Sequence, residues 1–391
     1  MTPPLNPVFA SRPVTIFAVM SALARRHGAI NLGQGFPDED GPLALKELAA
    51  KALLDGPNQY APVGGVPELR AAVASANNRF YGIEVDPETE TLVTAGATEA
   101  LAAAFMAFLQ PRDEAILFAP VYDCYAPIIE AAGAVPKFVR LAPPHWRIER
   151  AAVEAALSPR TRVIAVNTPH NPTGRVLTRE ELQIIADIAI ERDLVVICDE
   201  VYEHLTFDGR PHLPLMAFPG MRERTVRIGS AGKTFSMTGW RIGYVTGPAR
   251  LIDGVMKAHQ FIAYTCPPHI QKAVAAGLGF PDRFYSEFIA GLEARRDLMA
   301  ALLAEAGLDP IPCEGTYFIS ADIRAVGGVD DALFCREITE KAGVAAVPVS
   351  AFYPEGDPAA PRSFARFCFC KKPEVLKAAG ERLKRHFKAR A

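Results

Sequence analysis

The chain has 391 residues, too many for one ordinary core, so it is expected to divide into a larger and a smaller domain. Half of the residues are hydrophobic, 22% are charged and the net charge is −2, which excludes a disordered chain and the basic field of a nucleic-acid or membrane-surface binder. No apolar run reaches membrane-spanning length, and seven cysteines without CxxC spacing exclude a disulfide framework.

The N-terminus, Met1-Thr-Pro-Pro-Leu-Asn-Pro7, has neither a basic nor an apolar leader region, so no signal peptide is expected and the cytoplasm is implied. An irregular segment carries a helix around Phe17–Arg26, and Asn31-Leu-Gly-Gln-Gly-Phe-Pro37 then places Gly33 and Gly35 where backbone can approach a ligand or simply turn. From Gly41 short β-branched runs alternate with helical stretches: Leu92–Thr94, Glu114–Ala119, Lys137–Leu141, Val163–Val166, Leu194–Cys198, Thr225–Ile228 and Ile242–Thr246. That alternation predicts an α/β fold whose mostly parallel sheet is covered by helices, with ligands beyond the carboxyl ends of its strands. After about Phe280 the pattern changes to a long helix (Phe284–Glu305), a strand (Tyr317–Ser320), a helix (Asp331–Lys341), a strand (Phe364–Cys370) and a basic helix (Pro373–Lys388), a smaller α+β domain. The expected division is 1–40 packing with the small domain, 41–283 as the large domain and 284–391 as the small one. Cys368 and Cys370 fall on one strand face, as small buried hydrophobes, and the histidines show no metal-ligand spacing.

Four loop clusters sit at predicted strand ends. Gly96-Ala-Thr-Glu99 opens a helix, where free N–H groups and the Thr98 hydroxyl suit an anion or an ordinary cap. In Asn167-Thr-Pro-His-Asn-Pro-Thr-Gly174, Asn167 and Asn171 can aim amides at a ring or a carboxylate. In Val195-Val-Ile-Cys-Asp-Glu-Val-Tyr202 an acid ends an apolar strand and needs a partner there; Asp199, Glu200 and Tyr202 are not ranked by spacing. Gly229-Ser-Ala-Gly-Lys-Thr-Phe-Ser-Met-Thr-Gly-Trp-Arg241 ends like a phosphate-binding GxxxxGK[ST] loop, but Arg227 stands where that loop needs its first glycine, and no GxGxxG follows the first strand. The reading left is a lysine that forms a Schiff base with a pyridoxal ring, because a free amine is protonated and non-nucleophilic near neutrality. Such a cofactor needs a phosphate cup (Thr98, Ser230, Arg241), an acid on its ring nitrogen (Asp199), donors to its O3′ (Tyr202, Asn171) and a stacking aromatic (Tyr122).

With these motifs in order, the chain resembles a fold-type I, pyridoxal-phosphate-dependent class I/II aminotransferase over nearly its whole length, nearest the kynurenine, glutamine and methionine aminotransferases. Asn58-Gln-Tyr60, Tyr122-Asp-Cys-Tyr125, Asn167–Gly174, Asp199–Tyr202, Ser230–Lys233, Thr238–Arg241 and Arg366-Phe-Cys-Phe369 carry the resemblance. It implies a mostly parallel seven-stranded sheet and pyridoxal 5′-phosphate bonded to Lys233, which would also move the proton. Asp199 would hold the ring nitrogen charged, Tyr202 and Asn171 would bond O3′, and Tyr122 would stack on the ring. Ala97, Thr98, Ser230 and Arg241 would hold the phosphate, with Tyr60 reaching in from the second subunit of a homodimer. Arg366, Asn171 and Gly35 would take the substrate carboxylate, and Phe17, Tyr122, Tyr264 and Phe318 would make an aromatic side-chain pocket. Phe17, Ala97-Thr98 and Thr265 depart from the kynurenine-type pattern and put kynurenine itself in doubt. The implied reaction is ping-pong transamination between a neutral bulky, thioether or aromatic L-amino acid and a 2-oxo acid. Cysteine-conjugate or cystathionine β-elimination and N-succinyldiaminopimelate transamination are the alternatives on the same fold. A pyridoxal-phosphate-sensing DNA-binding regulator is disfavoured because the chain starts directly with the aminotransferase-like segment.

Overall fold

A computed structural model describes residues 5–10 and 12–388. The reading of the leader region rests partly on Met1–Pro4, which lie outside the described residues.

A seven-stranded sheet organises the chain. Its strands are β1 (Thr91–Thr94), β2 (Glu114–Ala119), β3 (Val135–Arg140), β4 (Thr161–Asn167), β5 (Val195–Asp199), β6 (Thr225–Ser230) and β7 (Gly243–Thr246), in the spatial order β1-β7-β6-β5-β4-β2-β3. Strands β2 to β6 pair in parallel, whereas β7 runs antiparallel to both β6 and β1. The carboxyl ends of β1, β2, β4, β5 and β6 therefore share one edge with the start of β7, which brings distant loops together.

Central strands are buried on both faces, so their sequences read as continuous apolar runs. Successive residues still go to different cores, as the strand period of two requires. Ile116, Phe118, Ile164, Val166, Val196 and Cys198 join the core beneath helix Arg179–Glu191. Ala115, Leu117, Val163, Ala165 and Ile197 join the core beneath helices Ala97–Phe108 and Ala249–Ile262. Helix Arg179–Glu191 starts where its sequence says it should: the Thr178 hydroxyl accepts from Glu181 N, and the Glu181 carboxylate accepts from Thr178 N.

A third core joins Met20 and Leu32, near the N-terminus, to Leu292, Met299, Leu376 and Leu383. Here β8 (Phe318–Asp322) and β9 (Phe364–Cys368) pair antiparallel, and the strand Ile30–Asn31 pairs with Val344–Ala345. Helix Pro373–Lys388 buries Leu376, Ala379, Gly380 and Leu383 at helical spacing. The predicted helix over 331–341 is α-helical to Glu337 and then widens into a π turn, Ile338–Ala342. The Thr339 hydroxyl donates to the Cys335 carbonyl at 2.7 Å, competing with the regular backbone ladder. No described helix is long and apolar enough to cross a membrane.

Candidate active site

A cavity of about 370 Å³ opens at the shared strand edge. Its walls include Phe17, Gly35, Ala97, Thr98, Tyr122, Asn171, Asp199, Tyr202, Ser230, Lys233, Arg241, Phe318 and Arg366. The fold thus brings these sequence-predicted residues around one space.

Each arrives by a strand end. β5 ends on Asp199, whose carboxylate is buried. Burial raises its pKa to about 6, against the opposing pull of the Tyr125 hydroxyl, which donates to Oδ2. Asn167, at the end of β4, donates from Nδ2 to the Asp199 carbonyl at 2.8 Å and accepts from Asn171 N at 2.8 Å. That pair of bonds fixes the loop carrying Asn171 against the end of β5.

β6 ends on Ser230 and turns at once into the short helix Ala231–Thr234, which carries Lys233. Lys233 is half-buried at the cavity wall, and its desolvation lowers the amine's pKa to about 8. Its Nζ donates to Tyr317 Oη at 2.8 Å, and Tyr317 Oη donates onward to the Gly35 carbonyl at 2.9 Å. Gly35 must be glycine for that approach: a Cβ there would lie 2.3 Å from Phe318 Cζ.

At the other end, β1 leads through Gly96 into helix Ala97–Phe108, which has no side-chain cap. The capping reading of Thr98 is therefore not what the structure shows; the uncapped helix start at Ala97 and Thr98 lines the cavity together with Ser230 and Arg241. Gly96 has a φ of 82°, and a Cβ on it would come within 2.6 Å of Arg241 Nη2, so the guanidinium lies against bare backbone.

Arg366, fully buried on β9, donates to Asn171 Oδ1 and to the Gly33 carbonyl, each at 2.8 Å. Its guanidinium lies 3.8 Å from the Phe318 ring centroid, 4.9 Å from Phe352 and 5.2 Å from Phe17. Burial lowers its pKa to about 10, so it stays charged near neutrality, and its Nε has no hydrogen-bond partner. An unpaired, charged donor at a cavity wall suits a carboxylate ligand.

Two predicted residues lie elsewhere. Tyr264 does not line the cavity of its own chain; the turn after helix Ala249–Ile262 gives it a φ of 67° and sets it on Tyr60, ring centroids 5.2 Å apart. Tyr60, expected to serve a second subunit, is 82% exposed. The sequence reading missed Tyr125 and Tyr317, whose hydroxyls contact Asp199 and Lys233. Tyr125 stands within a motif noted for Tyr122, but an aromatic at a helix start looks like core. Arg227, which ruled out the phosphate loop, is a buried strand residue that pairs with Glu200 and Glu203. Cys368 and Cys370 are buried as expected, with sulfurs 3.0 Å apart.

The arrangement fits pyridoxal phosphate on the structure's own terms. An uncapped helix start, Ser230 and an arginine over a glycine form an anion cup at one end. A buried carboxylate that would gain from a cationic ring sits at the other, and a partly neutral lysine amine lies in the same cavity.

Comparison with known proteins agrees. The family model for aminotransferase class I and II matches residues 27–383. A probable N-succinyldiaminopimelate aminotransferase of Mycobacterium tuberculosis is 48% identical over 380 residues, covering 94% of this chain and 95% of the relative. The methionine aminotransferase of Escherichia coli is 43% identical over 370 residues, covering 95% of each. The solved structure of the N-succinyldiaminopimelate aminotransferase from Mycobacterium tuberculosis superposes with a TM-score of 0.94 at 46% identity, covering 97% of this chain and 99% of that one. The chain belongs to the class I and II aminotransferases and is a pyridoxal-phosphate-dependent enzyme of fold type I.

Proposed function

We propose that this aminotransferase takes its amino group from a neutral bulky, thioether or aromatic L-amino acid, such as methionine, glutamine or phenylalanine, and passes it to a 2-oxo acid in ping-pong fashion. One observation carries the donor class. The cavity's cations are Lys233, Arg241 and Arg366, and each would have a task at the cofactor or the α-carboxylate, while Phe17, Phe36, Leu101 and Phe318 make the rest of the lining largely apolar. Among the described residues of the cavity no further cation is placed to meet a distal carboxylate.

The residues divide as follows. Lys233 would hold the cofactor, and its freed Nζ would take the proton from the substrate Cα and return it. The helix start at Ala97 and Thr98, with Ser230 and Arg241, would hold the phosphate, and Asp199 would hold the ring nitrogen protonated. Tyr202 and Asn171 would donate to O3′, and Tyr122 would cover the ring. Bound pyridoxal phosphate supplies the electron sink that makes the substrate Cα–H acidic. Arg366 grips the α-carboxylate with its fork pre-set by Asn171 and Gly33, which orients the Cα–H toward Lys233 Nζ.

A homodimer completes this reading. Phe261 is 86% exposed, Leu54 85% and Tyr60 82%, with Met106, Ile262 and Tyr264 also exposed and Tyr60 against Tyr264, apolar side chains that a second subunit would cover. Tyr60 and Tyr264, outside their own cavity, are then available to the second subunit's. The free cysteines fit a reducing compartment and hence the cytoplasm.

The N-succinyldiaminopimelate aminotransferase at 48% identity makes that donor the second reading, and its distal carboxylate would need a cation from the second subunit. Loss of visible absorbance on adding each candidate donor to the purified holoenzyme ranks them. Turnover with aspartate comparable to methionine would overturn the proposed donor class. Pyruvate and ammonia from a cysteine conjugate, without any 2-oxo acid, would reveal β-elimination.

A further inference from the structure

We infer that Tyr317 is a catalytic residue of this enzyme, the acceptor that holds the Lys233 amine while it carries the substrate proton. The inference rests on the proposed role of Lys233 and extends it to a side chain that does not line the cavity.

A phenol has one proton, and here the Gly35 carbonyl and the Tyr202 hydroxyl both stand ready to take it. Tyr317 Oη donates to the Gly35 carbonyl at 2.9 Å, so toward Lys233 Nζ, 2.8 Å away, it presents lone pairs. The direction of the bond is thereby set: lysine donates and tyrosine accepts. Burial, with neighbouring Tyr202, holds the Tyr317 hydroxyl well above its ordinary pKa, so the acceptor is a neutral phenol at any working pH.

The acceptor is also rigid. The Tyr317 ring packs edge-on against Tyr202 at 5.3 Å and against Phe318 at 4.8 Å, and its carbonyl accepts from Phe369 N at 3.0 Å. Tyr317 thus cannot follow the lysine; the lysine must come to it. A hydrogen bond from an ammonium is stronger than one from a neutral amine. Tyr317 therefore favours Lys233 in the state that has just taken the Cα proton, opposing the desolvation that works against charge there. In the proton step the Cα–H bond breaks, its electron pair stays on the substrate where the bound cofactor would draw it off, the Nζ lone pair takes the proton as a new N–H bond, and the N–H facing Tyr317 stays in place throughout. The same fixed bond leaves the remaining N–H groups to deliver the proton.

Tyr317→Phe keeps the ring and removes the acceptor. In cofactor-stripped protein, the pH dependence of Lys233 acetylation by acetic anhydride, read by peptide mass spectrometry against a surface lysine, reports the amine's titration. We expect its midpoint to fall by about one unit. In the holoenzyme, a single turnover with methionine should slow about 10- to 100-fold with KM changed little, and the isotope effect with α-deuterated methionine should rise. As a second variant, 3,5-difluorotyrosine at position 317 keeps both ring and oxygen while weakening the lone pairs, and should move both readouts in the same direction by less. An unmoved titration overturns the inference, and so does a moved titration with an unchanged turnover rate. These outcomes are separate from the role of Lys233: if Lys233→Ala turns over normally, that reading fails, whereas an inactive Lys233→Ala beside a normal Tyr317→Phe removes Tyr317 alone.

Discussion

The Tyr125 hydroxyl donates to Asp199 Oδ2, tying the start of helix Tyr125–Ala131 to the end of β5. This bond is what opposes burial at Asp199, a carboxyl raised from 3.8 to about 6. An acid with a raised pKa holds its proton at pH values where it would ordinarily have lost it. Below about 6 Asp199 in the cofactor-free protein is therefore mostly neutral, and a ring that needs the carboxylate must displace that proton. Cofactor affinity is expected to weaken by up to about tenfold per pH unit below that point. Tyr125→Phe should move the threshold upward by about one unit. Fluorescence titration of the stripped protein with pyridoxal phosphate from pH 5 to 8 measures both; a flat profile would contradict the pairing.

Arg366→Lys should keep the charge and lose the fork. Lysine cannot donate at once to Asn171 Oδ1, the Gly33 carbonyl and a substrate carboxylate in one plane, nor stack at 3.8 Å on Phe318. kcat/KM for methionine is expected to fall about 100-fold, mostly through KM. A steady-state comparison decides it.

The cluster behind Asp199 is a stability device. Arg227 pairs with Glu200 and Glu203 in the interior; His212 Nε2 lies 2.7 Å from Glu200, and the Tyr81 and Tyr244 hydroxyls donate to Glu203 at 2.8 and 3.1 Å. Burial alone would raise Glu203, but Arg227 and its neighbours pull it down to about 2. Arg227→Met leaves two buried carboxylates without their cation, which costs about 3–5 kcal/mol. The melting temperature should drop by several degrees, and Asp199, next in sequence to Glu200, should bind cofactor less tightly. Calorimetry checks the first effect and the titration above the second.

Phe261→Glu tests the apolar face. At 86% exposure the side chain contributes little to the folded monomer, so the substitution should leave far-UV circular dichroism unchanged. Sedimentation should shift from dimer to monomer, with loss of activity as Tyr60 loses access to a second cavity. A wild-type protein that sediments as a monomer while fully active would contradict the shared site.

Much of this site was legible because a parallel sheet advertises its ligand edge. Apolar runs ending in Asn167, Asp199 and Ser230 could be ordered without coordinates, and the polar residues after them had to meet. Lys233, Asn171 and Arg241 followed from chemistry that such an edge can hold, whereas Arg366, on the other sheet, came only from the family resemblance. What the sequence hid were hydroxyls on residues that otherwise belong to the core. Tyr125 and Tyr317 sit among apolar neighbours, and nothing in their spacing distinguishes a buried phenol that bonds Asp199 or Lys233 from one that merely packs. Tyr264 stays outside its own chain's cavity for a different reason: its side is set by a left-handed turn residue rather than by any period. The π turn after Glu337 was invisible because Thr339 also fits a regular helix.

The central claim is that Lys233 both bonds the cofactor and moves the proton. Its most direct test is the visible absorbance of the holoenzyme during a single turnover with methionine, wild type against Lys233→Ala. The wild type should bleach on adding methionine and recover on adding a 2-oxo acid, while Lys233→Ala should show neither at a comparable rate. A Lys233→Ala protein that bleaches, recovers and turns over like the wild type would contradict the account.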